Sequence, residues 1–169
     1  NDFTKKEDGT DADIESGEDG DVMIEIPKIG LKINTVGTTL YVRITNNPTA
    51  GADGFRYYAH TRDVEGDRDN LYIGAYLAFV ILDKLRSLSG KTPVVSKGLS
   101  EFRTLARSNG TGYDQISFYP IMLLQALYLI RYKNRNSQSA LGRGLTEGNY
   151  DSTTGLTNTK GMFFGENTG

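Results

Sequence analysis

The chain has 169 residues, a formal net charge of −2, 20 glycines and 10 tyrosines, with neither cysteine nor tryptophan. That length carries one core, and 37% apolar residues with so much glycine point to a loop-rich, strand-containing fold with aromatic anchors. The missing cysteines exclude disulfides, thiolate metal sites and a cysteine nucleophile, and the interspersed charges lack the basic stripe that nucleic acid requires.

Asn1 to Asp21 is mostly Asp, Glu, Gly and Thr without an apolar period. Such a segment buries too little surface to offset its ordering entropy, so residues 1–21 are expected to be an acidic flexible tail or linker. The segment opens acidic rather than basic-then-apolar, so no signal peptide is read there. Residues 22–169 are expected to form one domain. Val22 to Pro27, Ile29 to Asn34 and Leu40 to Asn46 alternate in period two and read as strands, with a turn at Gly37-Thr38-Thr39. A loop follows from Asn46 through Gly54, and Phe55 to Ala59 reads as a short strand or an anchored loop. Leu71 to Leu82 begins as a strand in which Gly74 marks a bulge or a close backbone approach, and Lys84 to Pro93 reads as loop.

Leu99, Phe102, Leu105 and Ala106 form a helical stripe, with Ser96 or Ser100 to cap it and Asn109-Gly110 to stop it. A second helix starts after Ser117. The most apolar stretch runs from Phe118 to Ile130 and reads as a buried helix; from Ile121 to Ile130 it is apolar on nearly every side, which predicts a place deep in the core. At about 13 residues the run is well short of the ~20 that span a bilayer, so no membrane insertion is expected. From Gln138 the chain is rich in Gly, Ser, Thr and Asn, and only Met162-Phe163-Phe164 reads as a strand start. An apolar triplet so near Gly169 leads to the expectation of a C-terminally incomplete domain, or of a sheet completed by another chain.

Several stretches together resemble phage and prophage structural proteins of Gram-positive hosts. They are Asp21-Val22-Met23-Ile24-Glu25-Ile26-Pro27, Leu71 to Tyr76, Lys84 to Gly90, Phe102 to Arg107 with Asn109-Gly110, Asn136-Ser137-Gln138 and Gly142-Arg143-Gly144. Those proteins are similar in pattern to the C-type-lectin-like fold of formylglycine-generating enzymes and retroelement-diversified variable proteins. The resemblance implies an α+β fold, an irregular antiparallel sheet with two packed helices, and an extracellular place on a virion in a tail fibre or baseplate. It further implies partners among host cell-surface glycans or proteins and other virion subunits, and a homo-oligomer. The family's chemistry does not carry over. The cysteine pair of formylglycine generation is missing, as are the Glu-Pro-Asn or Gln-Pro-Asp and Trp-Asn-Asp signatures of calcium-dependent sugar binding.

No catalytic residue, metal ligand or cofactor is assigned. His60, the single histidine, has no nucleophile or carboxylate at a diagnostic spacing and reads as structural. Asp63, Glu65, Asp67 and Asp69 have the composition of a calcium loop. Their spacing departs from an EF-hand, and Arg62 and Arg68 are interleaved, so a solvated, ion-paired turn is the reading adopted. Gly142-Arg143-Gly144 lacks the frame of a phosphate loop. Exposed aromatics among small polar residues make adaptable contact surfaces, so Asn149, Tyr150, Asn158, Phe163 and Phe164 are the candidate partner-binding residues. The function expected is a non-enzymatic virion surface module for host attachment; the alternative is a structural capsid-decoration or assembly subunit. A wall-degrading enzyme would need a carboxylate pair across a cleft; nothing in the sequence singles out Glu101 and Glu147 as such a pair.

Overall fold

The structure is a computed structural model, and it describes residues 4–6, 8–62, 66–142, 153–155 and 158. Its contacts divide the chain into two compact units. One comprises residues 1–24, 74–115 and 136–169, the other 25–73 and 116–135. The architecture is α+β. Among the described residues four separate two-stranded sheets and three helices replace the single irregular sheet that was expected.

The second unit is built on a hairpin of β2 (Gly30–Val36) and β3 (Thr39–Thr45). These strands pair antiparallel from Gly30 opposite Thr45 to Val36 opposite Thr39. The loop is only Gly37-Thr38, and Gly37 takes φ +60°, a left-handed conformation that glycine adopts without a Cβ clash. β1 (Met23–Pro27) pairs with β6 (Asn70–Gly74), and β4 (Thr61–Arg62) pairs with β5 (Gly66–Asp67). Helix α2 (Phe118–Tyr132) packs against β3 and stops where Lys133 turns left-handed at φ +51°.

The helix over the apolar run forms as expected, but its burial does not. Leu123 is 1% exposed, and Pro120 and Ala126 are also buried, whereas Phe118 is 66% exposed and Leu124 38%. Residues 120, 123 and 126 recur at i, i+3 and i+6, one stripe of a helix. A two-stranded hairpin is too narrow to cover the full circumference, so the rest of the apolar surface stays open.

The first unit centres on Leu88, fully buried, flanked by buried Ser87 and Ser89. β7 (Phe79–Ile81) and β8 (Lys84–Arg86) form a hairpin where the sequence reads one long strand followed by loop. The turn is Leu82-Asp83, both left-handed at φ +49° and +56°, a two-residue turn without the usual glycine and therefore invisible to turn signals. Helix α1 (Leu99–Arg107) packs against β8. At its start Glu101 Oε2 accepts from the Gly98 N–H at 2.8 Å; at its end Asn109 Nδ2 donates to the Leu85 carbonyl at 2.6 Å. The short helix α3 (Ser137–Leu141) is capped by Asn136, whose Oδ1 accepts from the Ser139 N–H.

The acidic N-terminal stretch, expected to be a flexible tail, is tied to this unit. Ser89 N–H donates to the Ile14 carbonyl and Val22 N–H to the Ser87 carbonyl, both at 2.9 Å. The Asp21 carboxylate, nearly buried, accepts from Arg86 Nε and from the Ser87 N–H, each at 2.8 Å. The acids are satisfied by specific donors, which hydropathy cannot register. Gly74 is a close approach, as the sequence indicates: a Cβ there would lie 3.0 Å from Ser87 Oγ.

Candidate partner-docking groove

The second unit carries an apolar groove of about 200 Å³. Ile29, Leu31 and Ile33 form one wall, Tyr119, Met122 and Leu123 of α2 the other, and Arg56, Tyr58 and Ala59 the end. Strand periodicity puts Leu31 and Ile33 on one face of β2, and the helical spacing of 119, 122 and 123 turns one stripe of α2 toward them. Tyr58 and Tyr119 meet with ring centroids 4.9 Å apart at 42°, a tilted aromatic contact at the rim. Arg56 brings the only charge in the lining, and its guanidinium donates to the carbonyls of Gly51 and Phe55.

Behind this wall lies His60, fully buried. Its Nε2 accepts from the Ile29 N–H at 3.2 Å, so the neutral ring carries its proton on Nδ1, which has no hydrogen-bond partner. Burial, aided by the positive charges of Arg62 and Lys28, holds its pKa below the usual imidazole value. His60 is therefore a neutral strut that fixes Ile29 at the groove edge. Nearby, Asp67 accepts from Lys28 at 2.7 Å and from Thr61 Oγ1 at 2.8 Å, which holds its carboxyl below the ordinary range.

Of the residues expected to bind a partner, Asn158 is placed inside the first unit. Its Oδ1 accepts from the Tyr76 hydroxyl at 2.6 Å, and its Nδ2 donates to Ser89 Oγ at 2.8 Å, so both ends of the amide are engaged. Thr154 Oγ1 donates to the Leu88 carbonyl at 2.6 Å beside it. Asn149, Tyr150, Phe163 and Phe164 lie outside the described residues, as do Asp63, Glu65 and Glu147. Glu101 is occupied by the start of α1 and by Lys97 at 3.8 Å. Among the described residues no group of three or more His, Asp or Glu side chains could hold a metal ion. None of their helices is long and apolar enough to cross a membrane.

The groove was not foreseen. Ile29, Leu31 and Ile33 read as a strand and Tyr119 to Leu123 as a core helix, and nothing local says that these two apolar faces meet and remain half open. In comparisons with known proteins the chain matches no family model, no curated protein and no solved structure. What the fold and this site define is an α+β protein with an aromatic-rimmed apolar groove.

Proposed function

We propose that this chain is a non-enzymatic surface module of a phage virion, a variant of the C-type-lectin-like fold, that binds other proteins through the groove between β2 and α2. The observation that carries the docking role is the groove itself: aliphatic walls, two tyrosines at the rim and one guanidinium. Tyrosine and arginine at the edge of a desolvated pocket are the side chains that anchor protein interfaces. The virion setting, in a tail fibre or baseplate, rests on the sequence resemblance. The shut-in position of His60 and the engagement of Glu101 support a binding role over catalysis.

The aliphatic walls favour a protein partner over a glycan, because sugars need several hydrogen-bonding groups beside an aromatic platform. Within the virion reading, that favours a proteinaceous host receptor or a neighbouring virion subunit, the second making this chain a decoration or assembly subunit. The test is binding of the intact chain to host cells and to particles lacking it, compared with the Tyr58→Ser/Tyr119→Ser double variant. Loss of at least about tenfold in affinity on either target supports the reading. Absence of binding to both overturns it.

A further inference from the structure

The groove is apolar except at one point, and that point carries an unneutralised charge. Arg56 sits directly opposite Leu31 in an antiparallel bridge. Residues paired in this way project their side chains to the same face of the sheet. Arg56 therefore leaves the backbone on the groove side, beside Leu31 and Ile33. Its Nη1 donates to the carbonyls of Gly51 at 3.2 Å and Phe55 at 3.1 Å, which ties the guanidinium to the neighbouring turn. Its Nε and Nη2 have no partner among the described residues, and no carboxylate there pairs with it. In the first unit, by contrast, Arg86 is neutralised by Asp21, and Arg103 and Arg107 share Asp114. Lys28, next to the lining residue Ile29, is taken by Asp67. Nε and Nη2 form the side edge of a guanidinium, the edge that receives both oxygens of one carboxylate in parallel bonds.

We infer that the groove receives the C-terminus of a partner polypeptide that ends in a large apolar residue, an inference that rests on the docking role proposed above. A volume of about 200 Å³ lies below the ~300 Å³ at which pockets for drug-sized ligands begin. It admits one large side chain, not the row of side chains along a helix face. A chain end is where an apolar side chain and a carboxylate share one Cα, and this matches a single guanidinium standing beside an aliphatic wall. The charge also selects a carboxylate over a phosphate. A phosphate group carries nearly two charges, and the lining offers no second cation. The half-exposed rings of Tyr58 and Tyr119 give the residues before the terminus a flat surface to lie on. An apolar chain end without the carboxylate would cover the guanidinium without pairing it, so the groove discriminates against it.

The probes are two N-acetylated peptides of one sequence, Ser-Gly-Ser-Gly-Phe-Leu, one ending in a free carboxylate and the other in a carboxamide. Each is titrated into the full isotope-labelled chain, and binding is read from backbone amide shifts in NMR spectra. The carboxylate form is expected to bind at least about tenfold more tightly than the carboxamide, with shifts at Leu31, Ile33, Arg56 and Tyr119. In Arg56→Met, which keeps an unbranched stem, the two forms are expected to bind alike. Arg56→Lys, which keeps the charge without the fork, is expected to retain only part of the preference. Circular dichroism confirms that the variants are folded, and the comparison on the unmodified chain stands if Arg56→Met fails to fold. Equal binding of the two peptides, a preference that survives Arg56→Met, or no binding of either overturns the inference. So does an amidated peptide with an internal glutamate that binds as tightly as the free chain end. None of these results decides the docking role itself, which falls only if the chain binds neither host cells nor particles.

Discussion

The two units hold themselves together by different means. Around Leu88 the first unit is strapped by polar contacts from distant parts of the chain: Asp21 on Arg86 and Ser87, Ile14 on Ser89, Thr154 and Asn158 on residues 88–91. The second relies on apolar contact between a narrow hairpin and one stripe of α2, with much of that surface left open. In the first unit the straps engage the polar groups around Leu88. A half-covered apolar unit gains stability when another surface covers it, and the docking groove falls on the second unit.

This contrast can be broken first at the two core leucines. Leu88→Ala and Leu123→Ala each empty a nearly inaccessible site and are expected to destabilise by about 2–5 kcal/mol, read by urea denaturation followed by circular dichroism. Similar large losses are expected in both units. If Leu123→Ala is near neutral, α2 is not the base of the second unit.

The straps come next. Gly155 is left-handed at φ +94°, and a Cβ there would lie 2.1 Å from Ser89 Oγ, so Gly155→Ala is expected to cost about 1–3 kcal/mol. Asp21→Asn is expected to cost a similar amount, because the Arg86 bond loses its charge and an amide cannot fully replace the carboxylate. Hydrogen exchange should show faster opening confined to residues 86–91 and their straps. No change there would mean that the N-terminal segment contributes little to the unit.

Acid separates the units more gently. His60 has a folded pKa below its unfolded value, so its neutral form favours the fold. That contribution is complete above the unfolded value near 6.5 and is lost as pH falls through the folded pKa. In the first unit Asp114 feels desolvation, which raises its pKa, but bonds from Arg103, the Gln115 N–H and Arg107 outweigh it and hold the pKa at about 2. Its contribution is present above about 4 and is lost only as pH falls toward 2. The second unit should therefore weaken first on acidification. In His60→Gln, which keeps an acceptor but cannot titrate, the step below pH 6.5 should vanish; its persistence would assign the step elsewhere.

The smallest effect on folding is expected from Tyr58→Ser. Tyr58 is half exposed and touches Tyr119 at the groove rim, so stability should change by about 1 kcal/mol or less. A larger loss would make Tyr58 part of the core rather than of a docking rim.

The sequence by itself determined the local elements whose signals are short-range. Period-two alternation found β2 and β3, Gly37 marked their turn, and helical spacing with Ser117 and Asn109-Gly110 bounded α1 and α2. It misjudged what depends on distant partners. The 1–21 segment reads as a tail because its acids carry no hydropathy signal, yet Arg86 and two serine amides lie 65 to 75 residues away to receive it. The Leu82-Asp83 hairpin was missed because its left-handed turn uses residues that rarely adopt one. An apolar run with no polar face announces a helix but not how much of it a neighbour will cover. That was decided by the width of the hairpin beneath α2, and with it the groove. Burial and pairing are properties of two surfaces meeting, and a linear sequence states only one of them at a time.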